Sequence, residues 1–195
     1  MQSFLTEPSR QTPVFGEYDV VVLGGGPAGI AAAVAAARTG RSTLLIERYG
    51  FLGGMGTAAG VTNFCGLHAN VAGEIRQVVH GVADDLLARI ARLGGLNAPH
   101  NLFGRTVAQA YDTAAYKIAA DDLMLAAGVS VLFHAVGAGV VMASPQHVQA
   151  LLIETLRPGP ARPSRRATGT ATCSIRPPCS ASTASTPNAP ARPGR

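Results

Sequence analysis

The chain has 195 residues, of which 47% are hydrophobic and 14% charged, enough for one domain with a buried core. Its formal net charge of +5 is unevenly spread: residues 1–155 carry 9 Lys and Arg against 11 Asp and Glu, whereas residues 156–195 carry 7 Arg and no acid. A mildly acidic body with a basic tail and no aromatic residues among the tail arginines argues against a nucleic-acid partner.

Residues 1–16 are polar, with no apolar run of the signal-peptide kind, and are expected to be a flexible N-terminus. No segment offers about 18 apolar residues free of charge, so no membrane span is expected. Cys65, Cys173 and Cys179 are isolated and suggest no disulfide framework, which points to a reducing cytoplasm.

The first element is a strand, Asp19 to Leu23 (DVVVL), whose β-branched and aliphatic run suits burial on both faces of a parallel sheet. Gly24, Gly26 and Gly29 follow at G-x-G-x-x-G spacing. Gly24 allows a tight turn, Gly26 lets a pyrophosphate approach the backbone, and Gly29 lets the next helix pack close to the strand. Pro27 suits the first helical turn, where its missing N–H costs nothing. The helix runs on through Ile30 to Arg38, with the small Ala33 against the sheet. Its free N–H groups and dipole favour phosphate. A second strand spans Ser42 to Ile46 and is closed by Glu47, 23 residues beyond Gly24. A carboxylate there accepts hydrogen bonds from ribose hydroxyls and repels a 2′-phosphate. The plainer alternative is a βαβ unit with a tight turn, no ligand and Glu47 as an ordinary surface carboxylate. It leaves the joint occurrence of strand, turn, helix and acid without a reason.

Beyond Glu47 the chain reads RYGFLGGMGTAAGVTNFCGLH, and Gly53, Gly54, Gly56 and Gly60 leave the backbone bare. Here the sequence resembles the FAD-dependent oxidoreductases of the glutathione-reductase-like superfamily. It is most similar to the subgroup with an acid–Arg–x–x–x–x–Gly–Gly pattern followed by threonine: Glu47, Arg48, Gly53, Gly54 and Thr57. The resemblance runs from about residue 17 to 155 and implies an α/β, Rossmann-like FAD-binding domain, a parallel sheet with packed helices. By that resemblance Gly24, Gly25, Gly26, Pro27, Ala28 and Gly29 hold the pyrophosphate, and Glu47 the adenosine ribose. Arg48 lies beside the adenine or ribose, against the alternative of a solvated charge. Gly53, Gly54, Met55, Gly56 and Thr57 line the inner part of FAD. Val136 meets the adenine through its backbone, against the alternative of an ordinary buried strand residue. Disulfide reductases of the superfamily need a C-x-x-x-x-C pair, and only Cys65 lies in that region. Nicotinamide dehydrogenases share the first turn but not GFLGGMGT; an NAD(P)-binding fragment and a non-catalytic nucleotide-binding fragment remain as alternatives.

Further on, Val71 to Leu93 is predicted as a helix from Ile75, Val78, Val79, Val82, Leu86, Leu87, Ile90 and Leu93, ended by Gly94 and Gly95. His80 is expected as a surface or packing residue of this helix. Thr106 to Ala127 is a second predicted helix, closed by Gly128, with Asp121 and Asp122 on a solvated face. Val129 to Phe133 and Val136 to Met142 are predicted strands, with a turn or bulge near Gly137 and Gly139. His68, His100, His134 and His147 are scattered and form no metal-ligand spacing, so no metal is expected. In flavoenzymes the flavin carries the redox chemistry. His68, following the glycine loop, is the nearest candidate acid or base in sequence, set against a plain loop histidine. Cys65 is a weaker candidate still. The partner expected is a small-molecule substrate.

From Leu156 the composition changes. Eight of thirteen prolines fall in residues 156–195, and Leu156 and Ile175 are the large apolar residues there. Such a tail buries too little surface to offset its ordering entropy and is expected to be disordered. A reading-frame change in GC-rich DNA is the sharper expectation. Gly169 to Cys173, read from each codon's third base, permits Asp-Gly-Asp-Leu, which fits the Gly-Asp-Gly-Asp-type motif that the resemblance implies at this point of the chain. On that reading the chain is a truncated N-terminal part of a flavoenzyme, without turnover of its own.

Overall fold

The computed structural model describes residues 11–104, 106–155 and 169–175, together with Ser3 and Ser9. In chain order its elements are β1 (Val14–Tyr18), β2 (Val20–Leu23), α1 (Pro27–Arg38), β3 (Thr43–Glu47), β4 (Asn63–Cys65), β5 (His68–Val71), β6 (Glu74–Gln77), α2 (Val82–Arg92), β7 (His100–Leu102), β8 (Thr106–Ala110), α3 (Thr113–Ala127), β9 (Ser130–Phe133), β10 (Ala135–Ser144), β11 (His147–Thr155) and β12 (Gly169–Ile175).

Strands β2, β3 and β9 form a parallel sheet in that order. β3 lies in the middle, and all five of its residues are buried. Its side chains alternate between two cores, as the strand period of two requires. Leu45 joins Ile30, Val34, Tyr116 and Leu123 under the helices. Leu44 and Ile46 join Leu132, Ile153 and Cys173 on the other face. That second face is covered by another sheet of order β1-β12-β11-β10 rather than by helices. The domain is therefore a three-layer α/β unit: helices, parallel sheet, mixed sheet. The parallel sheet with packed helices is present, with helices on one face. β2 departs from the expectation of two buried faces: its residues are part-buried and Leu23 is 57% exposed, because β2 is an outer strand of this sheet.

The middle of the chain corrects two predicted helices. Residues 68–77 form a hairpin, and the helix starts only at Val82. Ala72 and Gly73 turn with φ of 52° and 89°, and the Gly73 N–H donates to Asn70 Oδ1 at 2.9 Å. This local turn overrides the helical spacing of Ile75, Val78 and Val79. His80 thus lies outside the helix, beside Asp84. The second helix begins at Thr113, because Thr106–Ala110 pairs as a strand with β4 and β7. Its N-cap is Asp112, whose carboxylate accepts from the Ala115 N–H at 2.7 Å. Both C-termini end at the expected glycines, Gly94 and Gly128, at φ of 71° and 72°. Asp122 faces α2 and pairs with Arg89 at 3.1 Å, so it bridges two helices instead of facing only solvent.

Two terminal expectations are also corrected. Val14 to Gly16, assigned to the flexible N-terminus, belong to β1. Gly169–Ile175, assigned to the disordered tail, is a strand between β1 and β11 with Cys173 fully buried. A strand paired on both edges needs little side-chain bulk, since its backbone hydrogen bonds are satisfied on both sides. The expectations for residues 156–168 and 176–195 lie outside the described residues.

Candidate functional site

The site is built where β2 and β3 end and α1 begins. Gly24 leaves β2 at φ of 103°, and its N–H donates to the Ile46 carbonyl at 2.8 Å, tying the turn to β3. Gly25 donates its N–H to Glu47 Oε2 at 2.6 Å, and the other carboxylate oxygen accepts from the Tyr49 N–H at 2.9 Å. Glu47 is only 6% exposed, so it is no ordinary surface carboxylate. Each oxygen retains a lone pair for a further donor. Gly26 is the N-cap of α1, with no side chain capping it, and Pro27 follows. The first-turn N–H groups of Ala28 and Gly29 have no acceptor within the helix and lie at its positive end. Gly29 is bare because a Cβ there would overlap the Gly24 carbonyl oxygen. The close approach it permits is of helix to turn more than of helix to strand.

Gly26 is different. Its φ is −72°, which any residue adopts, and the nearest atom to a Cβ placed on it would be Gly54 Cα at 3.9 Å. Nothing in the packing requires glycine there. A phosphate lying against this backbone would.

Across the strand ends a cleft of about 340 Å³ opens between Leu23, Gly24, Glu47, Arg48, Val136 and Gly137. β10 reaches it because the chain reverses at His134 (φ 57°), whose N–H donates to the Tyr49 carbonyl at 3.3 Å. Predicted residues Glu47, Arg48 and Val136, distant in sequence, thus meet around one space. Val136 is 43% exposed, so the plain reading of a buried strand residue fails. Leu23 and Ala135, which also line the cleft, were not singled out from sequence; neither an exposed strand-end leucine nor a buried alanine has a signature of its own.

The second glycine stretch packs against the first. The Gly53 N–H donates to the Gly25 carbonyl at 2.8 Å. A Cβ on Gly54 would sit 2.8 Å from Gly26 Cα. Thr57 is buried and its hydroxyl donates to the Leu52 carbonyl at 2.7 Å, holding the loop closed. Met55 projects outward, 64% exposed. Gly56 faces inward on Tyr111 and Tyr116. None of Gly53 to Thr57 lines this cleft.

His68 lies on the β5–β6 hairpin opposite Gln77 and does not line the cleft; its Nδ1 is buried without a hydrogen-bond partner. Cys65 is exposed on β4, and no metal-binding cluster occurs among the described residues. Burial pushes the Cys173 thiol up to about 11, leaving it an inert core group at neutral pH.

The residues present fit the ADP half of a dinucleotide. Glu47 would accept from ribose hydroxyls, the N–H groups at the start of α1 beside Gly26 would take a pyrophosphate, and a half-apolar cleft adjoins them. Fold and site together define a dinucleotide-binding α/β domain. The sequence profile of the FAD dependent oxidoreductases matches residues 19–168, and the chain belongs to that family. Its cofactor is therefore FAD, which sets aside the nicotinamide alternative. Over 45 residues the chain is 55% identical to dihydrolipoyl dehydrogenase of Trypanosoma brucei brucei, a match covering 23% of this chain and 9% of that protein. Among solved structures, an open-conformation flavocytochrome c3 fumarate reductase aligns at 15% identity with a TM-score of 0.53, over 83% of this chain and 33% of that one. A 3-ketosteroid-Δ4-(5α)-dehydrogenase of Rhodococcus jostii RHA1 aligns at 13% identity and a TM-score of 0.49, over 85% and 47%. The first of these two likenesses shows the fold. The chain spans from a third to a half of these structures.

Proposed function

We propose that this chain is the ADP-binding part of an FAD-dependent oxidoreductase acting on a small-molecule substrate. Gly26 carries the reading: it is bare where neither backbone angle nor packing asks for glycine. The α1 N-terminus takes the pyrophosphate on the Ala28 and Gly29 N–H groups. Glu47 accepts the ribose hydroxyls while its backbone partners hold its orientation. Arg48, Leu23 and Val136 flank the adenine, and Gly54, against Gly26, serves the inner cofactor. Bound FAD supplies hydride or electron transfer through its ring. This chain's own residues orient the cofactor and shield its phosphates from water.

Titration of the protein with FAD, followed by flavin fluorescence, tests the reading. Gly26→Val and Glu47→Ala are each expected to weaken binding at least tenfold, about 1.4 kcal/mol. Unchanged affinity in both variants would overturn the site. No described helix is long and apolar enough to cross a membrane. Free Cys65 and Cys173 support a reducing, cytoplasmic setting. The charge pattern favours no nucleic-acid partner. A reading-frame change near residue 156 remains part of the proposal, supported by the break in composition. Sequencing the coding DNA through the stop codon, with translation in all three frames, checks it. A shifted frame that continues as Gly-Asp-Gly-Asp and a long globular sequence is the outcome expected.

A further inference from the structure

Tyr111 lies between β8 and α3, far in sequence from both glycine turns. Its backbone N–H donates to the Thr62 carbonyl at 3.0 Å. Its hydroxyl donates to the Val61 carbonyl and lies 3.1 Å from that of Gly56. One phenolic proton is thus shared between two carbonyls that bracket the same loop. The ring is fixed by Phe64 at 4.2 Å and by Tyr116, edge-on, at 5.2 Å between centroids. Gly56 is bare for this contact: a Cβ there would lie 2.6 Å from the Tyr111 hydroxyl oxygen and from Tyr116 Cε1. Burial raises the Tyr111 pKa above its ordinary value of 10.0, so the hydroxyl stays a donor at any working pH.

The loop so held is the one whose front meets the pyrophosphate turn, with Gly53 bonded to Gly25 and Gly54 against Gly26. It does not line the adenosine cleft. We infer that Tyr111 is a positioning residue for the cofactor: through the Gly56 and Val61 carbonyls it holds the Gly53–Val61 loop at the height where it meets the inner half of FAD. This rests on the FAD reading above. Since the loop touches the first turn at Gly25 and Gly26 and lines none of the adenosine cleft, the hydroxyl should matter for FAD and little for ADP. A merely structural role would move both alike.

Tyr111→Phe keeps the ring stack and removes only the hydroxyl. Affinities for FAD and for ADP are measured on wild type and variant, with hydrogen exchange of both apo forms followed by mass spectrometry. The expected result is an FAD affinity lowered about fivefold, the loss of about one hydrogen bond. ADP affinity should stay within about twofold, by the same scale. Faster exchange should be confined to peptides covering Gly53 to Thr62. Equal losses for FAD and ADP, or no loss of either, would overturn the positioning role while leaving the cofactor reading intact. A wild-type chain that binds neither ligand would overturn the cofactor reading and this inference with it. A loss of FAD affinity without faster exchange in the loop would also count against Tyr111 acting through those carbonyls.

Discussion

The two glycine turns look alike in sequence and do different work. In the second, three glycines have a neighbour that needs the space: Gly53 meets Thr57, Gly54 meets Gly26, and Gly56 meets Tyr111 and Tyr116, while Gly60 serves a turn at φ of 72°. Gly53 and Gly54 also turn at φ of 111° and 51°. In the first, Gly24 turns and Gly29 packs, but Gly26 has an ordinary φ and room for a Cβ at ordinary contact distance. A glycine that the fold requires is read from its neighbours. A glycine that the fold does not require points to a ligand.

The largest expected effect is on folding. Gly29→Ala pushes a Cβ into the Gly24 carbonyl oxygen, which only a backbone shift can relieve. It should cost about 3 kcal/mol or more in urea unfolding, the upper range for overpacking. Gly56→Ala meets a phenolic oxygen and a ring carbon, side-chain atoms and not backbone, and should cost about 1–3 kcal/mol. Gly26→Ala is the decisive contrast. Its stability should fall by about 1 kcal/mol or less, the difference between glycine and alanine at an N-cap. Its FAD affinity should fall about tenfold or more, or about 1.4 kcal/mol. If Gly26→Ala unfolds the protein as readily as Gly56→Ala, the contrast between the turns collapses.

The smallest effect serves as a control outside both turns. The Asp84 carboxylate accepts the Gly81 N–H at 2.8 Å at the start of α2, and this bond above all lowers its pKa from 3.8, with His80 and Gln77 adding to it. A pKa lowered by folding means stability present above the ordinary value and lost as pH falls through the folded one. The Tm difference between wild type and Asp84→Ala should therefore be small at pH 6 and shrink below about pH 4, following that ordinary carboxylate value. FAD affinity should not change.

How far the site was legible follows from range. The turn, the helix after it and Glu47 were readable because their residues lie in one βαβ unit and report on each other locally. Val136 and Arg48 could be named only by resemblance; their meeting depends on β10 folding back after His134. The Ala72-Gly73 turn was in the sequence but lost to the apolar spacing around it, and the Asp112 cap was missed because the predicted helix already ran through it. Tyr111 had no local signal at all, since its two carbonyl partners are 50 and 55 residues away.

By itself, then, the sequence determined the class of the domain, the dinucleotide turn and the acid that closes it, since these rest on spacing within one strand–helix–strand unit. Only the tertiary structure decided that a second sheet covers one face of the first, and that β12 completes that sheet. It alone separated the glycines that packing requires from Gly26, which packing does not require. Steric room around a Cβ is a property of neighbours brought together by the fold, and no pattern of glycines along the chain contains it.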